Sequence, residues 1–252
     1  MKEKLTPHII AVTALVVFIV LGLACASSES AQKSAPEKNQ EPSMSAEEYF
    51  NRGKKYLGNN NIDPAFADFT QAVKLDPNNA SYNAAYYFTR GRINERRSYG
   101  DMPISRKEAF LNQAGDDFAK AIELDPGNAF YWNGFGGYHK IHTRLYDLAA
   151  MYYSVAIMDE PNNITFLLSR ADLYLQYTGQ YDLAIADLNE IIRLSPKGAR
   201  YVGNYYDMRG RAYYNLRNYD KAVADHEEAV RLDPNDTRYQ SNLQRARQAL
   251  GR

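Results

Sequence analysis

The sequence predicts an all-α protein in which helix pairs stack one after another into an α-solenoid. Three observations predict it. Five amphipathic stretches each end in a short acidic or polar step and a proline, at Pro77, Pro126, Pro161, Pro196 and Pro234. The intervals of 49, 35, 35 and 38 residues point to a unit a little over thirty residues long with insertions, the range of stacked helical repeats. Within each interval a glycine or alanine and a bulky residue return at fixed places, and no region shows the period-two alternation of a strand.

The first unit places Tyr49, Arg52, Gly53 and Tyr56 in its first half and Ala65, Phe69, Ala72 and Pro77 in its second. The second carries Tyr86, Tyr87, Phe88, Arg90 and Gly91, then Ala114, Phe118, Ala121 and Pro126, with residues 98–108 inserted between the halves. The third reads Trp132, Phe135, Gly136 and His139, then Ala149, Tyr153, Ala156 and Pro161; the fourth reads Leu167, Arg170, Ala171 and Tyr174, then Ala184, Leu188, Ile191 and Pro196. Each of these two has one residue extra between its halves. The fifth is regular, with Arg209, Gly210, Tyr213, Ala222, His226, Ala229 and Pro234.

Helix ends are expected from local chemistry. Asp63, Asp147, Asp182 and Asp220 are expected just before the second helices as N-caps, and Ser45 with Glu48 and Ser105 with Glu108 have capping-box spacing. Proline closes each pair, because it cannot continue a helix and biases the preceding residue away from helical geometry. The Ser105 box starts the second helix of the second unit early, so that it runs to about Leu124 and the tip at 98–103 projects. Residues 80–92 and 199–211 share Ala, Tyr, Tyr, Tyr, Arg, Gly and Arg at one spacing, which predicts first helices longer by about a turn in both units.

The small residues have a packing reason. Gly53, Gly91, Gly136, Ala171 and Gly210 let the partner helix approach, and a bulky residue fills the groove beside each. Glycine in a helix costs about 1 kcal/mol against alanine, so close contact has to offset it. No phosphate-binding glycine fingerprint is present.

This pattern closely resembles the tetratricopeptide repeat family over residues 46 to 236. The resemblance implies a right-handed α-solenoid of about five such helix pairs, at 45–79, 80–128, 129–163, 164–198 and 199–236. Residues 237–252 follow as a capping helix and tail, with Tyr239, Leu243, Ala246 and Leu250 on its apolar side; a terminal repeat needs such a cover.

The resemblance also implies a concave groove lined by the first helices. Carried over residue by residue, its places fall on Glu47, Phe50, Lys54 and Leu57; Ala85, Phe88, Arg92 and Glu95; Phe130, Asn133, Gly137 and Lys140; Thr165, Leu168, Asp172 and Leu175; and Asn204, Asp207, Arg211 and Tyr214. The peptide-binding candidates among them are Phe50, Lys54, Phe88, Arg92, Asn133, Lys140, Leu168, Asp172, Asp207, Arg211 and Tyr214. Apolar anchors among scattered cations suit a peptide with hydrophobic and some acidic side chains. A clamp for the chaperone tails bound by one subgroup is not expected, because Phe50 and Lys54 occupy its places.

The N-terminus has a different chemistry. Lys2 and Lys4 precede an uncharged apolar run from Ile9 to Ala24, followed by small residues, the layout of a bacterial export signal at 1–25. Two export readings stay open. In one, Leu21 to Cys25 is similar to a lipobox and Cys25, the single cysteine, is lipidated. In the other, Ala24 and Ala26 form an ordinary cleavage site and the mature chain starts at Ser27. Residues 26–44, rich in Ser, Glu, Lys, Gln and Pro, read as a disordered tether spanning roughly 25 Å.

Lysine plus arginine and aspartate plus glutamate balance at 30 each and are interspersed, which is not a nucleic-acid footprint. The 21 tyrosines fall mostly on packing places. Four histidines and one cysteine offer no catalytic constellation; His139 and His142 stand three apart, but no further ligand joins them. The expectation is therefore a non-enzymatic chain without cofactor or metal. It is expected to be exported and tethered by lipid to a bacterial envelope membrane, facing the periplasm or exterior, as a scaffold for a protein or peptide segment. The alternative is a small-ligand or glycan binder using the tyrosine-rich concavity, and self-association stays open.

Overall fold

The computed structural model describes residues 44–251. The export signal, Cys25 and nearly all of the tether lie outside the described residues. Eleven α-helices and no strand occur among the described residues. They form five pairs, α1 (Ala46–Gly58) with α2 (Ile62–Leu75), α3 (Ala80–Ser98) with α4 (Ile104–Leu124), α5 (Ala129–Tyr138) with α6 (Tyr146–Asp159), α7 (Ile164–Leu173) with α8 (Tyr181–Leu194), and α9 (Gly203–Asn215) with α10 (Tyr219–Leu232). The last helix is α11 (Thr237–Leu250). Each helix packs on the next in chain order, which makes the architecture an α-solenoid. Tyr239, Leu243 and Ala246 of α11 are buried.

Within each pair one small residue sets the helix approach. A Cβ built on Gly53 would lie 2.6 Å from Phe69 Cε1, one on Gly136 2.7 Å from Tyr153 Cε1, and one on Gly210 2.8 Å from His226 Cε1. Gly91 has slightly more room, 3.1 Å to Phe118. Where Ala171 takes the place, Leu188 replaces the ring in the same buried cluster. The volume lost on one helix is added on the other.

Beside that contact runs an ion pair absent from the sequence-based expectations. Arg52 donates to both oxygens of Asp68, each at 2.7 Å; Arg90 does so to Asp117, Arg170 to Asp187 and Arg209 to Asp225. Each acceptor is a buried aspartate three residues after the invariant-place alanine at 65, 114, 184 or 222. The third pair substitutes an aromatic stack at the same two places: Phe135 lies on Tyr152 with centroids 4.7 Å apart and planes at 27°. A fork-on-carboxylate pair fixes helix register through geometry more than through net energy.

The turns explain the irregular spacing. Asn60, Arg144, Gly179 and Arg217 all have positive φ, between 56° and 67°, and each stands two residues before its second helix. The extra residue of the third and fourth units is absorbed upstream, where the first helix widens into a π turn at His139–Thr143 and at Tyr174–Thr178. Keeping the left-handed turn fixed thus pushes the surplus residue into the helix end.

Several expected caps are corrected. The box at Ser45 is formed: the Glu48 N–H donates to Ser45 Oγ at 3.2 Å and the Ser45 N–H to Glu48 Oε2 at 2.7 Å. Asp63, Asp147, Asp182 and Asp220 instead lie one residue inside their helices, because the turn starts each helix at the preceding Ile or Tyr. There they still favour the positive helix end. Ser105 also lies inside α4, which starts at Ile104 directly behind Pro103 and has no side-chain cap.

Besides Ser45, and Asn218, which accepts the Lys221 N–H, the caps that form sit two residues beyond a proline: Asn79, Asn128, Asn163 and Asp236 accept the N–H of Tyr82, Phe130, Thr165 and Arg238. After Pro196 that place is Gly198, with φ +78° and no side chain to cap with. The consequence is a difference between two stretches of like sequence. Ala80 opens α3 directly, whereas Arg200–Val202 forms a 3-10 turn before α9.

Gly53→Ala is expected to destabilise the fold by up to about 2 kcal/mol, as overpacking of about 1–3 kcal/mol outweighs the helix-propensity gain of about 1 kcal/mol. Adding Phe69→Leu should recover much of that loss by copying the Ala171 and Leu188 arrangement. Urea midpoints of the three proteins check it; a single substitution that stabilises would refute the tight contact.

Candidate functional site

The side formed by the first helices carries a cavity of about 540 Å³, which reaches from α1 through α3 and α5 to Thr165 of α7. Its base is aromatic. Phe50 lies 5.6 Å from Phe69 and 4.7 Å from Tyr82, and Phe88 lies 5.5 Å from Phe118 and 4.9 Å from Tyr131, between ring centroids. Burial raises the Tyr131 phenol above its ordinary pKa, so it stays neutral.

Small residues keep the space open. A Cβ on Gly134 would stand 2.5 Å from Phe88 Cε2; at the corresponding place in the fifth pair, Met208 is buried in the core beside Leu168. Gly58 and Ala85 also line the cavity.

Its polar side chains are cationic, amide or hydroxyl. Lys54 Nζ lies 4.7 Å from the Phe50 ring centroid, and Arg92 Nε lies 3.6 Å from Glu95 Oε2. No carboxylate is among the lining residues. Asn133 Oδ1 is buried with no hydrogen-bond donor, an acceptor left for something else to satisfy. Phe130, half exposed, stands edge-on to Phe166 at 5.3 Å.

Of the eleven candidate groove residues, the cavity brings together Phe50, Lys54, Phe88, Arg92 and Asn133. Others are occupied elsewhere. Lys140 Nζ donates to Asp172 Oδ2 at 2.9 Å across two pairs, and Leu168 packs against the core. Asp207 is 1 % exposed and accepts from Asn242 Nδ2 at 2.8 Å, so it is a buried structural group. Arg211 and Tyr214 line a separate, smaller cavity with α10 and α11 residues.

The insertion also folds back onto the third pair. Tyr99 is largely exposed, yet its hydroxyl lies 3.3 Å from His142 Nε2, which is also 2.9 Å from Glu95 Oε1. His139 faces the other way, packed 4.5 Å from Phe135, with Nδ1 3.0 Å from Thr143 Oγ1. The two histidines therefore do not converge on one point. No group of three or more metal-ligating side chains occurs among the described residues.

Comparison with known proteins agrees with this architecture. Residues 46–79, 164–197 and 208–236 match the tetratricopeptide repeat family. The stretch between the first two matches holds the inserted second pair and the aromatic third pair. Among solved structures, PilF of Pseudomonas aeruginosa is similar at 19% identity, covering 82% of this chain and 84% of that one, with a TM-score of 0.59. YrrB, described as a TPR protein with an unusual peptide-binding site, is similar at 18% identity over 78% and 91%, with a TM-score of 0.55. MamA is similar at 20% identity over 77% and 94%, with a TM-score of 0.53. No curated protein matches by sequence. The fold is thus a tetratricopeptide repeat solenoid, an architecture suited to protein–protein interaction.

Burial lowers the His139 pKa from 6.5 to about 4. The folded chain keeps this imidazole neutral while the unfolded chain protonates it, so stability should fall as pH drops from about 6.5 to about 4, by at most about 3 kcal/mol. Urea unfolding across that range checks this: His139→Phe should flatten the fall relative to the unsubstituted protein, and equal slopes would show that His139 titrates freely.

Proposed function

We propose that this chain is a membrane-tethered, extracytoplasmic scaffold that holds a peptide segment of a partner protein in the groove formed by α1, α3, α5 and α7. The observation that carries the reading is the cavity lined by Phe50, Phe88, Lys54, Arg92 and Asn133. Its rings take an apolar side chain, its two cations and lack of lining acids favour an acidic neighbour, and the unsatisfied Asn133 oxygen accepts a peptide N–H. The chemistry contains no nucleophile with a base, which supports binding without turnover.

Tethering rests on the sequence. The basic start, the apolar run from Ile9 to Ala24 and the single Cys25 support lipid attachment, with residues 26–44 as the spacer. A bacterial envelope membrane, on its periplasmic or outer side, is the compartment this arrangement fits.

Peptides selected from a random library against the full-length protein are expected to combine an aromatic or aliphatic residue with Asp or Glu. Calorimetry should show at least about tenfold weaker binding to Lys54→Glu with Arg92→Glu, about 1.4 kcal/mol or more. Equal affinity for the variant would remove the groove from the proposal, and melting shifts with glycans but no selected peptide would favour the small-ligand alternative.

Labelling with a radioactive fatty acid addresses the anchor. Cys25→Ser is expected to abolish incorporation and to move the chain from the membrane to the soluble fraction. An unlabelled parent protein would indicate cleavage after Ala26 instead.

A further inference from the structure

At the C-terminal end, α9, α10 and α11 enclose a second cavity of about 180 Å³, lined by Arg211, Tyr214, Asn215, His226, Asn242 and Arg245. It shares no residue with the apolar cavity and does not rest on the peptide reading.

Arg211 and Arg245 are two arginines that line one cavity. Arg52, Arg90, Arg170 and Arg209 fork onto buried aspartates, and Arg96, Arg193, Arg200, Arg231, Arg238 and Arg247 pair with other acids. Arg211 and Arg245 form no ion pair among the described residues. Arg211 Nη2 donates to Gln176 Oε1 at 3.0 Å and Arg245 Nη2 to Asn242 Oδ1 at 3.1 Å, both neutral amides.

Asp207 is the acid built into this corner, and it is committed inward. It is 1 % exposed, takes Asn242 Nδ2 at 2.8 Å, lies 3.1 Å from His226 Nδ1 and is not a lining residue. Two guanidinium groups therefore face one void without a carboxylate in its wall. Like charges around a partly enclosed space repel, and an anion between them reverses the sign of that interaction.

Neutral donors complete the wall. Asn215 Nδ2 donates one hydrogen to the Arg211 carbonyl at 2.9 Å, and Asn242 Nδ2 donates one to Asp207; each amide nitrogen keeps a second hydrogen. The Tyr214 hydroxyl is a further donor. Behind them, His226 is 1 % exposed and its Nδ1 has no hydrogen bond of good geometry. The buried Asp207, His226 and Asn242 contacts hold the floor from which Arg245 projects.

We propose that this cavity is an oxyanion site, taking one carboxylate or phosphate group between Arg211 and Arg245. The planar guanidinium fork matches either group, and the volume suits one such group with few further atoms.

Arginine Nε–H resonances of the full-length protein should be followed by NMR during titration with sodium phosphate and, separately, with N-acetylglycine, at constant ionic strength set by chloride. Saturable shifts of Arg211 and Arg245 with either anion are expected, and the anion that saturates identifies the source. Arg211→Gln with Arg245→Gln should weaken that response at least about tenfold, while Arg97→Gln with Arg106→Gln should leave it unchanged. If the double variant melts, Arg245→Gln alone, at an exposed position of α11, carries the same comparison. Absence of saturation with both anions, or an equal response in the variant, overturns the proposal.

Discussion

The structure depends on how closely two helices of a pair approach at one small residue. At Gly53, Gly136 and Gly210 the opposing ring lies within 3 Å of where a Cβ would stand, so the contact leaves no room for a side chain on one partner. That close approach brings the flanking backbone together and lets Phe69, Phe118, Tyr153 and Leu188 be fully or almost fully buried. Dense packing at this seam offsets the cost of glycine in a helix. Everything on the first-helix side is positioned by it.

Next to that seam, the chain uses two solutions for one place. Four pairs join their helices with an arginine fork on a buried aspartate, and the third joins them with Phe135 stacked on Tyr152. The third pair is also the one with a cluster of rings beside this place, since Phe135, Tyr138 and Tyr152 all pack on His139. Its π turn carries Lys140 toward Asp172 and His142 toward Glu95, tying the second, third and fourth pairs together. The open cavity runs from the first pair onto this tied region, where Gly58, Ala85 and Gly134 supply little or no bulk.

Five of the eleven candidate groove residues could be placed on one face from the sequence, because repeat register maps a residue to a face. Phe50, Lys54, Phe88, Arg92 and Asn133 share one cavity as that register implies. Register says nothing of what a side chain meets from another helix. Asp207 holds a groove place, yet α11 supplies Asn242 to bond it and α10 supplies His226 against it. Lys140 and Asp172, likewise, are consumed by each other. The aspartate partners of the arginines had a visible signal, an acid three residues after each alanine, whose meaning appears only when both helices are in place.

The sequence by itself determined the helix pairs, their order and their small-to-large seams, because helix periodicity, glycine and proline act locally and recur. Tertiary structure decided where each second helix starts, since left-handed turns at Asn60, Arg144, Gly179 and Arg217 place the caps two residues earlier than expected. It also decided which polar groups remain free. A side chain's availability depends on partners 16 to 35 residues away in sequence, and only packing brings those partners within hydrogen-bonding distance.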